Sequence, residues 1–430
     1  MRKERLAING GTKQISTEFD LGATYGKEEL NAVKDVINSG TISGFVANSG
    51  PKFYGGPKVK DLESSFISFF KTKFAVASNS ATSSLHSALI AIGIKEGDEV
   101  IIPSVSMSAS AASILMAGGK PVFVDITKGE CNNCDCKVKD LDNRGCFNID
   151  SSKIKNSINN KTKAILVVHL FGKSADMNNI NILAKKYNLR IIEDCAQSPG
   201  TKYNNKYVGT IGDIGIFSFN QSKTISAGEG GVAITNNQEF ALKMQLVRNH
   251  AEAMIDSFDI SEKYILGYNY RITDLEAAVA NEQFKKLETF NRHKIKLANH
   301  FSLLLLDLKG LKGLGQLDYV DNVIFIYPII FDSNYFNVSR EEFVSACNAE
   351  GIPMANGYTK PLTDLPLFKN YINNDENYKN ANDLNNNYLI TTKICHHKNV
   401  ETSDIDHIFM GLKKVYNYYI NESKWYKRFK

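Results

Sequence analysis

The chain predicts an α/β fold: a large domain with a mainly parallel mixed sheet between helices, followed by a smaller C-terminal α+β domain. Three observations carry this. Short apolar runs rich in β-branched residues alternate with helical patterns over the first two thirds of the sequence. Those runs are nearly continuous rather than alternating, as strands buried on both faces are. From about residue 273 the pattern changes to a long helical stretch.

In order, the expected strands are "FAVAS" (74–78), "DEVIIP" (98–103), "PVFVDI" (121–126), "KAILVV" (163–168), "LRIIED" (189–194), "IGIFSF" (214–219) and "GVAIT" (231–235). "SSLHSALIAIG" and "NNINILAKKYN" read as helices between them. "TDLEAAVANEQFKKLETFNRHKIKLANHFSLLLLDL" reads as one or two long helices, with Thr273 or Asp274 as the cap. This spine sets the expected division into residues 1–285, with an N-terminal arm, and 286–430. In the second part "NVIFIYPIIF" (322–331) is a strand and "SREEFVSACNAEG" (339–351) a capped helix.

Bulk composition narrows the function. The 430 residues carry 51 Lys+Arg against 46 Asp+Glu, a net +5 that is too mild for a nucleic-acid footprint. Hydrophobic content of 43% and charged content of 23% are those of a soluble globular protein. No long apolar run follows Met1, and no stretch of 18 apolar residues occurs, so neither a signal peptide nor a membrane span is expected. A cytoplasmic enzyme or binding protein is the expectation. Seven cysteines, an odd number in a large chain, argue against a disulfide framework.

Ligands of parallel sheets bind beyond the carboxyl ends of the strands, so four segments should converge there. In "SNSATSSLHSAL" small hydroxyl residues precede a helix, which suits a phosphate or simply a cap. In "IIEDCAQSPG" a strand delivers Glu193 and Asp194 to the sheet edge, with Gln197 beyond. These carboxylates could cap a helix, bind magnesium or pair with a protonated ring nitrogen. "FSFNQSKTISAGEGG" places Lys223 after Ser218 and before a glycine-rich turn. It is not a Walker loop, because its glycines follow the lysine. Loop lysines are usually solvent-exposed, but one desolvated at a sheet edge has a lowered pKa and can form a Schiff base. "GYNYRITDLEAA" sets Asn269 and Arg271 just before an apolar helix, a turn and cap on the plainer reading.

Taken together and in this order, the segments resemble the sugar aminotransferases of the DegT/StrS group, fold-type I enzymes that use pyridoxal phosphate (PLP). "PKFYGGPKVKDLE", "IKEGDEVIIPSVSMSASA", "PVFVDI", "VVHLFGKSADM", "EDCAQSPG", "GTIGDIGIFSFNQSKTISAGEGG" and "GYNYRITDLEAA" all match, over about residues 25 to 290, with a fainter continuation through "GYTKPLTDLPLF". The resemblance implies that Lys223 holds PLP covalently and that Asp194 pairs with the pyridinium nitrogen. It implies that Gln197 bonds the ring hydroxyl oxygen and that Thr82, Ser83 and Ser218 hold the phosphate. Asn269 of the partner subunit would join them, which makes the enzyme a homodimer with shared sites. The implied reaction moves an amino group from an amino acid, by analogy L-glutamate, to a keto sugar. That sugar would be nucleotide-linked and serve surface polysaccharide or related glycan synthesis.

Two positions depart from the family pattern. Met107 stands where many relatives place an aromatic ring on the PLP face; it stacks there through its thioether or is ordinary core. "TKGECNNCDCKVKDLDNRGC" replaces a shorter link, and its Cys131, Cys134, Cys136 and Cys146 either form a Cys₄ zinc site or are free thiols of a surface insertion. Three other functions stand beside the aminotransferase. A dehydratase of the same group, using the amine form of the cofactor, would carry histidine at the position of Lys223. A non-catalytic PLP-binding regulatory protein would lack the lysine or the ring partner. A nucleotide-binding α/β protein would need a phosphate loop, and that motif is absent.

Overall fold

The computed structural model describes residues 5–16, 24–127, 147–258, 264–314, 322–372, 377–394 and 400–426. Cys131, Cys134, Cys136 and Cys146 lie outside the described residues, as does Cys395.

Seven strands form the large sheet: β1 (Phe74–Ser78), β2 (Glu99–Pro103), β3 (Lys120–Val124), β4 (Thr162–Val168), β5 (Arg190–Asp194), β6 (Ile214–Ser218) and β7 (Gly231–Thr235). Their spatial order is β1-β7-β6-β5-β4-β2-β3. Only β7 runs antiparallel to its neighbours, β1 and β6. The sheet is therefore mixed but mainly parallel, as the sequence predicts. All seven expected strands form, most within one residue of the expected bounds. Their apolar runs are buried because helices cover both faces. α1 (Lys27–Asn38), α2 (Pro57–Phe70), α3 (Ala81–Ala91), α4 (Ser108–Met116), α5 (Met177–Tyr187) and α6 (Gln238–Arg248) belong to this part.

The spine is two helices, α7 (Asp274–Lys285) and α8 (Leu287–Leu305). Thr273 caps α7: its Oγ1 accepts from Glu276 N, and the Glu276 carboxylate reaches back to Thr273 N, a reciprocal capping box. A second sheet follows, made of β8 (Leu311–Lys312), β9 (Tyr327–Phe331), β10 (Met354–Asn356) and β11 (Leu389–Thr392), in the order β8-β9-β11-β10. α9 (Arg340–Ala349), capped by Ser339, and α10 (Thr402–Tyr426) complete it.

One strand is shorter than its sequence suggests. The apolar run 322–331 enters β9 only at Tyr327. Phe325 and Ile326 pack instead into the core of the large sheet, and Phe325 N donates to Phe171 O. Apolar content could not separate these two uses, since both bury the chain. The same core takes in Leu362, Phe368 and Leu389, so the two sheets are joined by shared apolar packing. That junction borders the carboxyl ends of β4, β5 and β6.

Candidate active site

Lys223 lies in the loop between β6 and β7. Its N–H donates to Asn220 O at 2.8 Å, which closes a tight turn. The glycines that follow have two uses. Gly228 and Gly230 adopt φ of +85° and +136°, conformations that side chains resist. Gly231 lies so close to the start of α3 that a Cβ there would meet Ala81 N at 2.5 Å. Flexible backbone beside the lysine thus serves close packing of β7 on α3.

The Lys223 ammonium sits 4.3 Å from the centre of the Phe325 ring. Burial lowers its pKa from 10.5 to about 8; the Asp194 charge opposes this and Lys393 adds to it. An amine so placed is partly neutral near physiological pH and is a competent nucleophile.

Asp194 closes β5 and is 6% exposed. Ser110 Oγ, on α4, donates to its Oδ2 at 2.8 Å, and Ala196 N donates to its Oδ1 at 3.1 Å. A buried carboxylate held by two neutral donors keeps its direction, and it is suited to pair with a cation. Three residues on, Gln197 Oε1 accepts from Phe171 N and Nε2 donates to Tyr358 Oη, both at 2.9 Å. The second N–H of that amide is available to a ring oxygen.

The phosphate candidates meet at one corner. The register places Gly231 opposite both Ser78 and Ser218, so the ends of β1 and β6 flank the start of β7. Ser80 caps α3 by accepting from Ser83 N at 3.0 Å. Ser83 Oγ is itself engaged, donating to Asn79 Oδ1 at 2.7 Å. Thr82 is half-buried in the first turn, and Ser218 Oγ accepts from Asn220 N at 3.3 Å. A helix N-terminus ringed by hydroxyls is chemically suited to a phosphate. Asn269 lies beside this corner: its carbonyl is 3.5 Å from Asn79 Nδ2, its backbone bridges Asn249, and its side chain is exposed. Met107 is the N-cap of α4 and is 53% exposed, so it is not a core residue.

Sequence reasoning missed several groups. Ser110, Phe325, Tyr358 and Lys393 come from distant segments whose only local signal is an ordinary hydroxyl, ring or amine. Glu193 is present but faces away from ligand chemistry. It accepts from Ile211 N and Gly212 N and pairs with His169 Nε2 at 3.0 Å. Cys195 lies near both, and the three side chains are spaced as metal ligands could be. His169 Nδ1 accepts from Ala175 N, however, so Nε2 carries the proton and donates to Glu193. With both nitrogens used, this cluster is a hydrogen-bonded support behind Asp194, not a metal site.

Comparison with known proteins agrees with the geometry. The family model described as the DegT/DnrJ/EryC1/StrS aminotransferase family matches residues 24–413. An uncharacterised protein of Methanocaldococcus jannaschii is 32% identical over 338 residues, which span 76% of this chain and 80% of that protein. Among solved structures, Helicobacter pylori PseC, an aminotransferase of pseudoaminic acid biosynthesis, is 26% identical, with a TM-score of 0.78 over 93% of this chain and 100% of its own. A GDP-4-keto-6-deoxymannose-3-dehydratase with a trapped PLP-glutamate geminal diamine is also 26% identical, with a TM-score of 0.77 over 92% and 100% of the two chains. Among the described residues, no helix is long and apolar enough to cross a membrane. The chain belongs to the DegT/DnrJ/EryC1/StrS aminotransferase family, and its cofactor is pyridoxal phosphate.

Proposed function

We propose that the protein transfers the amino group of an amino acid, L-glutamate, to a keto sugar carried on a nucleotide. The observation that carries this reading is Lys223 itself: an amine of depressed basicity, within the field of a buried Asp194, in the loop after β6. A dehydratase of the group, by the resemblance above, would have histidine there.

The residues present fit the cofactor. Lys223 would carry it covalently, and Asp194 would hold a proton on the ring nitrogen. Gln197 would bond the ring oxygen with its spare N–H, while Thr82, Ser83 and Ser218 would hold the phosphate. Met107, exposed at the entry to α4, would cover the ring face. Bound PLP supplies an electron-poor ring that accepts the electron pair left at the donor carbon. Lys223 Nζ, once displaced by the incoming amine, would move the proton from that carbon.

An open polar groove of about 550 Å³ runs outward from Tyr358 past Thr359 and Lys360 to Arg340 and Asn385. Its size and polarity suit a sugar nucleotide. Exposed apolar side chains support a second copy of the chain: Leu30 and Ile37 on α1, Ile42, and Tyr264 and Leu266 just before Asn269. Ile42 O accepts from Asp274 N, so this surface borders the start of α7. The homodimer would place Asn269 of the partner subunit at the phosphate. A boundary between the two parts of the chain falls at Lys285 and Lys286, where α7 gives way to α8. We place the enzyme in the cytoplasm, in the synthesis of surface polysaccharide or a related glycan.

The test is to incubate the PLP form with L-glutamate and then with a panel of nucleotide-linked keto sugars. The visible absorbance should fall with glutamate and return with the right sugar, yielding an amino sugar. Release of a deoxygenated keto sugar instead would make the protein a dehydratase.

A further inference from the structure

Lys393 is half-buried, and it has no ion pair or hydrogen bond among the described residues. It directly follows Thr392, the last residue of β11, which the register pairs with Tyr327, the first residue of β9. The chain entering β9 and the chain leaving β11 therefore share one end of the small sheet. Phe325 lies on the entering chain, and its ring centre is 4.3 Å from Lys223 Nζ. That end of the small sheet thus reaches the reactive amine. Among the described residues, Asp194 and Lys393 act on Lys223 with opposite sign.

Two ammonium groups in one partly enclosed space repel each other, and burial strengthens the repulsion. Among the described residues Lys393 has no ion pair of its own to offset this, and the Asp194 charge acts on Lys223. Such an arrangement becomes favourable when an anion fills the space between the cations. Two of the anions in the proposed reaction have other partners. The cofactor phosphate belongs to the α3 corner, and the diphosphate of a sugar nucleotide is held away from the reacting nitrogen by the whole sugar ring. The carboxylate of an amino acid differs, because it is attached to the very carbon that bears the reacting amine. A cation close to Lys223 Nζ is where that carboxylate arrives.

We propose that Lys393, at the end of β11, is the residue that recognises the carboxylate of the amino donor. This rests on the aminotransferase reading above. A lysine is a compact point charge on a flexible stem, and it can follow one carboxylate without demanding the two-pronged geometry of a guanidinium. Phe325 supplies an apolar wall beside Lys223. The residue acts in the donor half of the reaction and not in the acceptor half, where no carboxylate is present at the reacting carbon.

The experiment uses the purified PLP enzyme without sugar. L-Glutamate is titrated against the visible cofactor band of the natural protein, Lys393→Met and Lys393→Arg. Glutarate, a dicarboxylate without an amine, is titrated by calorimetry against the same proteins. Lys393→Met should keep its cofactor band but weaken glutamate and glutarate at least about tenfold, the loss of one charge-assisted contact. Lys393→Arg should recover most of the affinity. With the positive neighbour removed, the pKa of the cofactor band should rise in Lys393→Met, which a merely structural role would not produce. The acceptor half-reaction, started from the amine form, should keep its KM for the sugar. Unaltered glutamate and glutarate affinity in Lys393→Met, or a loss confined to the sugar, overturns the proposal. If the natural protein reacts with no amino acid, the aminotransferase reading fails by itself; the glutarate arm then still reports whether Lys393 binds a carboxylate.

Discussion

Ser110 Oγ, on the first turn of α4, donates to Asp194 Oδ2 at the end of β5 over 2.8 Å. The two residues are 84 positions apart in the chain, and the bond fixes the carboxylate on which the proposed ring chemistry depends. Asp194→Asn keeps the shape but removes the charge, and turnover should fall by ~10²-fold or more, as with loss of a principal electrostatic group. Ser110→Ala should fall less, by about tenfold, because Ala196 N still holds the other oxygen. Both variants should bind PLP. Near-normal turnover in Asp194→Asn would remove it from the mechanism.

Lys223 is expected to carry the cofactor. Borohydride reduction of the yellow protein followed by peptide mapping should find the label on Lys223, and Lys223→Ala should bind PLP without being fixed by borohydride and without turnover. A label on another lysine would move the site.

The depressed basicity of Lys223 gives a pH dependence. Its folded pKa of about 8 lies below the ordinary 10.5, chiefly because of burial. The neutral amine, which attacks the PLP aldehyde, therefore grows as pH rises toward 8 and is nearly complete above it. Apo-protein should capture PLP with a rate that climbs about tenfold per pH unit below this point and then levels. A plateau reached only beyond pH 10 would show an exposed, unshifted lysine.

His169 and Glu193 are both fully buried behind Asp194. His169→Ala leaves the Glu193 carboxylate without one of its donors and opens a cavity. A loss of about 2–3 kcal/mol in unfolding free energy is expected from denaturant titration. Zinc should neither rescue the variant nor stabilise the natural protein through this cluster.

Asn269 tests the shared site. Its side chain is exposed beside the phosphate corner of its own chain, bordered by the apolar Tyr264 and Leu266. If it serves the neighbouring copy, a heterodimer of Asn269→Ala and Lys223→Ala chains has one site with both defects and one with neither. Activity should then return on mixing and refolding two impaired parents. Heterodimers that form but stay inactive would place Asn269 in its own subunit.

The strands of the large sheet, the capped helices and the candidates for covalent and charge chemistry were legible in the sequence. Strand pattern is local: apolar runs such as 163–168 must be buried wherever they lie, so their period is legible without partners. Lys223, Asp194 and Gln197 were legible as candidates for a related reason, since each ends or closely follows a strand and sheet edges collect ligands. Tertiary structure alone decided what surrounds them. Ser110, Tyr358, Phe325 and Lys393 are ordinary residues until folding sets a hydroxyl on Asp194, a phenol on Gln197, and a ring and a second amine at Lys223. Glu193, beside Asp194 in sequence, points the other way because successive side chains of a strand face opposite sides. The basicity of Lys223 was likewise undecided in the sequence, because a pKa is set by burial and by charges that only the folded chain brings together.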